Sequence, residues 1–226
     1  MTAQTAIRVL LVNSERLMFE GLVSVLADYE DLEVVGVAIS AVDAVEKAKL
    51  LKPDLLVIDM HLGDSNGAQA CEQVRAAVPG TAVLFLSPEV GTVSMERAVQ
   101  AGAAGYVSTG VSTDELVGAI RKLADGEMLV TTSVLTRLMR EGPTFEESEA
   151  PAPSSQLTAR ERDLLARIAR GEQNADIARE LGLERAAVRS DVRAVLEKLG
   201  VHSKVQAVDA ARRAGLLTAT EVRAAS

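Results

Sequence analysis

Four polar positions in the first half of the chain each follow an apolar run. Asn13-Ser14 comes after IRVLLV, Asp59 after LLVI, Ser87 closes AVLFLS, and Thr109 follows AGYVS. Together they offer one carboxylate, an amide and several hydroxyls. They include no nucleophile–base pair, no glycine-rich phosphate loop and no metal-binding cluster, which argues against an enzyme. Asp59 taken alone could simply accept backbone hydrogen bonds from its own loop. A second set lies near the C-terminus. Arg185, Arg189 and Arg193 recur every four residues, with Ser190 between them and Lys198 beyond. Arginines at that spacing reach phosphates or guanine edges when their helix enters a groove.

The apolar runs are strands by pattern: Ile7–Val12, Glu33–Ala38, Leu55–Asp59, Ala82–Ser87 and Ala104–Ser108. Helix-period stretches separate them, near Glu15–Leu26, Ala41–Leu51, Ala68–Ala77, Val93–Ala101 and Thr113–Ala124. Continuous apolar strands joined by crossover helices predict a parallel sheet buried on both faces. The fold class is α/β, a doubly wound five-stranded sheet over residues 1–130. Such sheets carry their sites beyond the C-terminal strand ends, where the four polar positions fall.

Residues 157–226 show no strand signal and read as four helices. The first opens at the capping box Thr158-Ala-Arg-Glu161 and ends near Gly171; the second spans Asn174–Leu181 before Gly182. The third runs Arg185–Leu199, and the fourth covers about Lys204–Ala214. Short helices joined by glycine turns predict a helix-turn-helix domain. In the third helix Val188, Val192, Val195 and Leu199 form one apolar stripe, and the three arginines advance beside it in steps of about 40°. Between the domains, Thr132–Arg140 reads as a linking helix and Glu141–Gln156 as an extended acidic linker, together residues 131–156.

The chain has 226 residues and a formal net charge of −8. Residues 1–140 hold 11 basic and 18 acidic side chains, giving −7, and the linker contributes −4. Residues 157–226 hold 13 and 10, giving +3, so the acidic total conceals a basic domain. No run approaches a membrane span and no signal-peptide pattern is present, so a cytoplasmic protein without a membrane partner is expected. The single cysteine, Cys71, excludes a disulfide framework and a cysteine-based zinc site. Neither His61 nor His202 has a triad partner by spacing.

The segments PDLLVIDMHLGDSNG, VLFLS and AVQAGAAGYVSTG resemble the receiver domain of two-component response regulators over roughly residues 7–125. The resemblance makes Asp59 the phosphoacceptor position, Ser87 the switch hydroxyl and Tyr106 the switch aromatic. Receivers usually carry two acids after the first strand and a lysine after the fifth; here Asn13-Ser14 and Thr109 stand there. Gly63 stands where a proline is usual. Residues 157–217 resemble the LuxR-type helix-turn-helix module, through the Thr-x-x-Glu opening, Ile177-Ala178, Val188, Val192 and Lys198-Leu199-Gly200-Val201. By that resemblance Arg189, Ser190 and Arg193 contact DNA, with Arg185 and Lys198 beside them. Glu184, Ala187 and Asp191 depart from its usual serine, threonine and histidine.

The whole resembles a response regulator of the NarL/FixJ type with an atypical receiver. The resemblance implies a transcriptional regulator that binds double-stranded DNA as a homodimer, with a sensor kinase or other regulatory protein as partner. No catalytic residue, metal ligand or cofactor is expected, since the acids that hold Mg²⁺ in receivers are replaced. Control then passes to a ligand in the altered crevice, a partner or dimerisation. The alternatives are conventional phosphorylation at Asp59, or an interaction adaptor whose helical domain has lost DNA.

Overall fold

Strand residues alternate between two apolar faces, which is what a sheet covered on both sides requires. In the computed structural model, Ile7–Val12 (β1) sends Leu10 and Val12 to one face and Val9 and Leu11 to the other. The structure describes residues 6–63, 65–88, 91–129, 157–201 and 204–217. The expected linking helix Thr132–Arg140, the linker Glu141–Gln156 and His202 lie outside the described residues.

The other sheet strands are Leu32–Ala38 (β2), Leu55–Ile58 (β3), Ala82–Ser87 (β6) and Gly105–Ser108 (β7). A two-residue antiparallel pair, His61–Leu62 (β4) and Ser65–Asn66 (β5), follows β3. All sheet pairings are parallel, in the order β2-β1-β3-β6-β7. Four helices connect them, Arg16–Leu26 (α1), Ala41–Leu51 (α2), Gly67–Ala77 (α3) and Thr92–Gln100 (α4), and Thr113–Ala124 (α5) follows β7. This is the doubly wound α/β architecture expected from the sequence.

Two cores result. Leu10, Leu56, Ile58, Val83 and Phe85 pack against Ala44, Ala48, Ala70, Val74 and Ala98. Across the sheet, Val9, Leu11, Leu55, Val57 and Leu84 meet Phe19, Leu26, Leu116, Ile120 and Leu123. The small alanines on α2 and α3 let these helices lie close to the strands. Ser40 caps α2 by accepting from the Asp43 N–H at 3.2 Å. At α5, Ser112 and Glu115 exchange hydrogen bonds as the capping box requires.

The described residues divide into two compact units, and residues 125–127 cluster with the C-terminal one. That unit contains Ala159–Ala169 (α6), Asn174–Leu181 (α7), Arg185–Lys198 (α8) and Lys204–Arg213 (α9). Its core joins Leu164, Leu165, Ile168, Ile177, Val188, Val192, Val195 and Leu199. Gly182 takes a φ of 64° between α7 and α8, a left-handed turn that glycine adopts without strain. These are the helix-turn-helix elements read from the sequence. Among the described residues, no helix is long and apolar enough to cross a membrane.

Gly67 fixes the loop after β3. Its N–H donates to the Met60 carbonyl at 2.8 Å. A Cβ at this position would run into the Asp59 carbonyl oxygen and lie 2.9 Å from that of Met60. Because backbone atoms cannot yield as a flexible side chain can, Gly67→Ala should destabilise the first unit by about 1–3 kcal/mol or more. A lowered urea midpoint with an unchanged slope would record it; an unchanged midpoint would refute the close approach.

Candidate functional site

The ends of β1 and β3 lie side by side, so their following residues share one crevice. Asn13 is buried and Asp59 half-buried. The Asn13 side-chain amide donates to Asp59 Oδ2 at 3.2 Å, and its oxygen accepts from the Glu15 N–H at 2.7 Å. Asp59 Oδ1 accepts from the His61 N–H at 3.1 Å. Both carboxylate oxygens therefore have a neutral hydrogen-bond donor.

Ser87 is fully buried at the end of β6. The Thr109 N–H donates to the Ser87 carbonyl at 3.1 Å, so Thr109 directly follows the β6–β7 pairing. Ser14 is exposed beside Asn13. Tyr106 is 8% exposed, with its ring centroid 6.3 Å from that of Phe85 and the planes 17° apart. The expected crevice residues thus occupy the C-terminal ends of neighbouring strands, and Tyr106 packs into the sheet beside them. Sequence reasoning missed Gly67 and the backbone donor of His61. The glycine was visible in Ser-Asn-Gly, but its close approach to Asp59 depends on the fold.

In the second unit α8 buries Val188, Val192 and Val195 and exposes Arg185, Arg189, Ser190 and Arg193. Arg185 ion-pairs with Asp125 at 2.9 Å and Glu127 at 3.5 Å. Lys198 meets Glu161 at 2.8 Å. Glu161 also accepts from the Thr158 N–H at 2.8 Å, completing the capping box of α6. The hydrogen bond from Lys198, with that from Thr158, holds the Glu161 carboxyl below its usual range. Glu184, which precedes α8, makes no side-chain cap bond. Arg167 bridges Asp163, Glu172 and Glu180, tying α6 to α7.

Two family models match the chain, one in each unit. Residues 9–121 match the response regulator receiver domain, and residues 155–211 match the bacterial regulatory proteins of the luxR family. The chain is a response regulator of the LuxR family. This response regulator is 34% identical over 201 residues to the transcriptional regulatory protein MctR of Rhizobium johnstonii, covering 89% of this chain and 91% of that one. It is 32% identical over 206 residues to the response regulator protein VraR of Staphylococcus aureus, covering 89% and 94%. The receiver domain of a putative NarL from Mycobacterium tuberculosis superposes with a TM-score of 0.52 at 30% identity, over 54% of this chain and 99% of that one. A LuxR-family two-component response regulator from Aurantimonas sp. SI85-9A1 gives 0.54 at 25% identity, over 61% and 98%. A response regulator of this type is a DNA-binding transcription factor, not an enzyme, and its receiver implies a sensor kinase partner.

A buried polar chain braces the helices of the DNA-binding unit. Lys204 Nζ donates to Asn174 Oδ1 at 2.7 Å, and Asn174 Nδ2 donates to the Asp125 carbonyl at 2.7 Å. Burial pushes the Lys204 ammonium down to about 8, partly countered by the charge of Glu127. The unfolded chain then binds more protons than the folded one between about pH 8 and pH 10.5. Stability attributable to Lys204 should rise across that window. Urea midpoints of wild type and Lys204→Met at several pH values would show it, the variant lacking the increment. Parallel pH profiles would contradict the burial of a depressed lysine.

Proposed function

We propose that this response regulator works through a degenerate receiver, controlled by a ligand, a partner or dimerisation and not by Mg²⁺-dependent phosphorylation of Asp59. The observation that carries the reading is the Asn13 amide donating to Asp59. A magnesium ion bound there would need oxygen lone pairs facing it, usually including several carboxylates. The amide instead turns an N–H to Asp59, and its oxygen is engaged by the Glu15 N–H. The surrounding Ser14, Ser87 and Thr109 are neutral, so this donor set does not fit Mg²⁺. With threonine at the usual lysine position, no side chain there supplies the cation that would neutralise a transferring phosphoryl group.

A different input has room beside the crevice. A groove of about 760 Å³ begins at Ser14 and is lined chiefly by Phe19, Val23, Val37 and Ile39. Its volume and apolar lining suit a small molecule. On the output side, the exposed face of α8 is the DNA-reading surface, with Arg189, Ser190 and Arg193 as contacts. Phosphates reaching Lys198 or Arg185 compete with the carboxylates those cations already hold. Two copies binding palindromic half-sites supply the affinity one module lacks.

Incubation with acetyl phosphate and Mg²⁺, followed by intact-mass measurement, should leave the mass unchanged. An adduct of about 80 Da, the mass of one added phosphoryl group, that disappears in Asp59→Ala would overturn the degenerate reading. For the DNA surface, Arg193→Ala should cost about 1–3 kcal/mol of binding to a selected duplex if it reads a base edge. Fluorescence anisotropy measures that loss, and an unchanged Kd would assign Arg193 to mere surface.

A further inference from the structure

A helix lying in the major groove has a phosphate backbone on either side of it. The two flanks of α8 differ in charge. At 100° per residue, Arg185, Arg189 and Arg193 occupy one flank of the buried Val188–Val192–Val195 stripe. Asp191 lies on the opposite flank, beside Ala187 and Ala194 and two turns before Lys198, whose charge is already held by Glu161. Left by itself, that carboxylate would face the second phosphate wall and repel it.

The structure supplies a cation at that place from another helix. Arg160, in the first turn of α6, meets Asp191 with Nη2 2.6 Å from Oδ2. The pair is not sequestered: the Arg160 side chain is 59% exposed and that of Asp191 36%. A planar guanidinium has five donors, and one bond to a single carboxylate oxygen leaves others directed outward. A surface pair of this kind contributes only about 0–1 kcal/mol to folding, so its geometry is cheap to reuse on DNA.

We propose that Arg160 is a phosphate contact on the second wall of the groove, held there by Asp191 as its positioning residue. The acid on the recognition helix is thereby converted into a mount for a cation. This rests on α8 being the groove helix. Arg160 would contact phosphate oxygens, not bases, so it adds affinity uniformly and does not select sequence.

The test uses the full chain and a duplex of about 30 bp, long enough for two half-sites one helical turn apart, selected by the wild-type chain from a random-sequence pool. Anisotropy titrations across a range of KCl concentrations give the slope of log K against log salt. Arg160→Ala should reduce that slope by about 1.8 and weaken binding about sixtyfold at ~0.1 M salt, the share of one phosphate from each of the two bound copies. Arg160→Lys should retain the slope. The double variant Arg160→Ala/Asp191→Ala should bind more tightly than Arg160→Ala alone, because it removes the bared acid. Urea unfolding of each variant checks that the fold is kept.

An unchanged salt slope in Arg160→Ala overturns the proposal, as does a double variant that binds no better than the single. Arg193→Ala separates this failure from that of the underlying reading. If Arg193→Ala weakens binding while the Arg160 variants do not, the second-wall contact alone is refuted. If both leave binding unchanged, the assignment of α8 falls and the contact falls with it.

Discussion

A parallel sheet covered on both faces can carry polar side chains only where its strands run out. Leu10, Leu56, Val83 and Phe85 on one side, and Val9, Leu55 and Leu84 on the other, leave no room for them within the strands. Asn13, Asp59, Ser87 and Thr109 therefore gather at one edge, and β1 and β3 bring the first two within hydrogen-bond distance. Gly67 locks the loop below Asp59 by admitting its backbone where a methyl group would collide. The position of the carboxylate follows from sheet packing; its chemistry follows from the neutral residues beside it.

The scaffold was legible because its signals are periodic and local. Apolar runs such as IRVLLV and AVLFLS marked strands, and Ser112–Glu115 and Thr158–Glu161 announced helix starts through their three-residue spacing. The β4–β5 pair escaped, since two residues per strand carry no alternation to detect. The crevice members were legible from strand-end positions, but the turn of the Asn13 amide was not. That turn depends on Glu15 N–H and Asp59 presenting opposite hydrogen-bonding needs. Arg160 and Asp191 are 31 residues apart on different helices, so only the packing of α6 on α8 makes them a pair.

The same packing alters how the basic domain uses its charge. A count of +3 over residues 157–226 suggests a modest surplus. Much of that charge is spent inside the unit: Arg167 on three acids, Lys198 on the capping glutamate, Arg185 on Asp125 and Glu127. These pairs orient helices and hold side chains at fixed places on the surface. A DNA backbone approaching this unit meets placed cations among neighbouring acids, an arrangement that favours selectivity over indiscriminate attraction.

The lone cysteine has a practical consequence. Cys71 is fully buried between α3 and the sheet, its thiol donating to the Ala101 carbonyl at 3.3 Å. Burial pushes that thiol up to about 12, so at neutral pH it is neither accessible nor ionised. A cysteine introduced at an exposed site on either unit would be the one thiolate able to react with a maleimide. Fluorophores could then be attached at chosen points without first removing the native residue, and the distance between the receiver and the DNA-binding unit could be followed in solution with and without DNA.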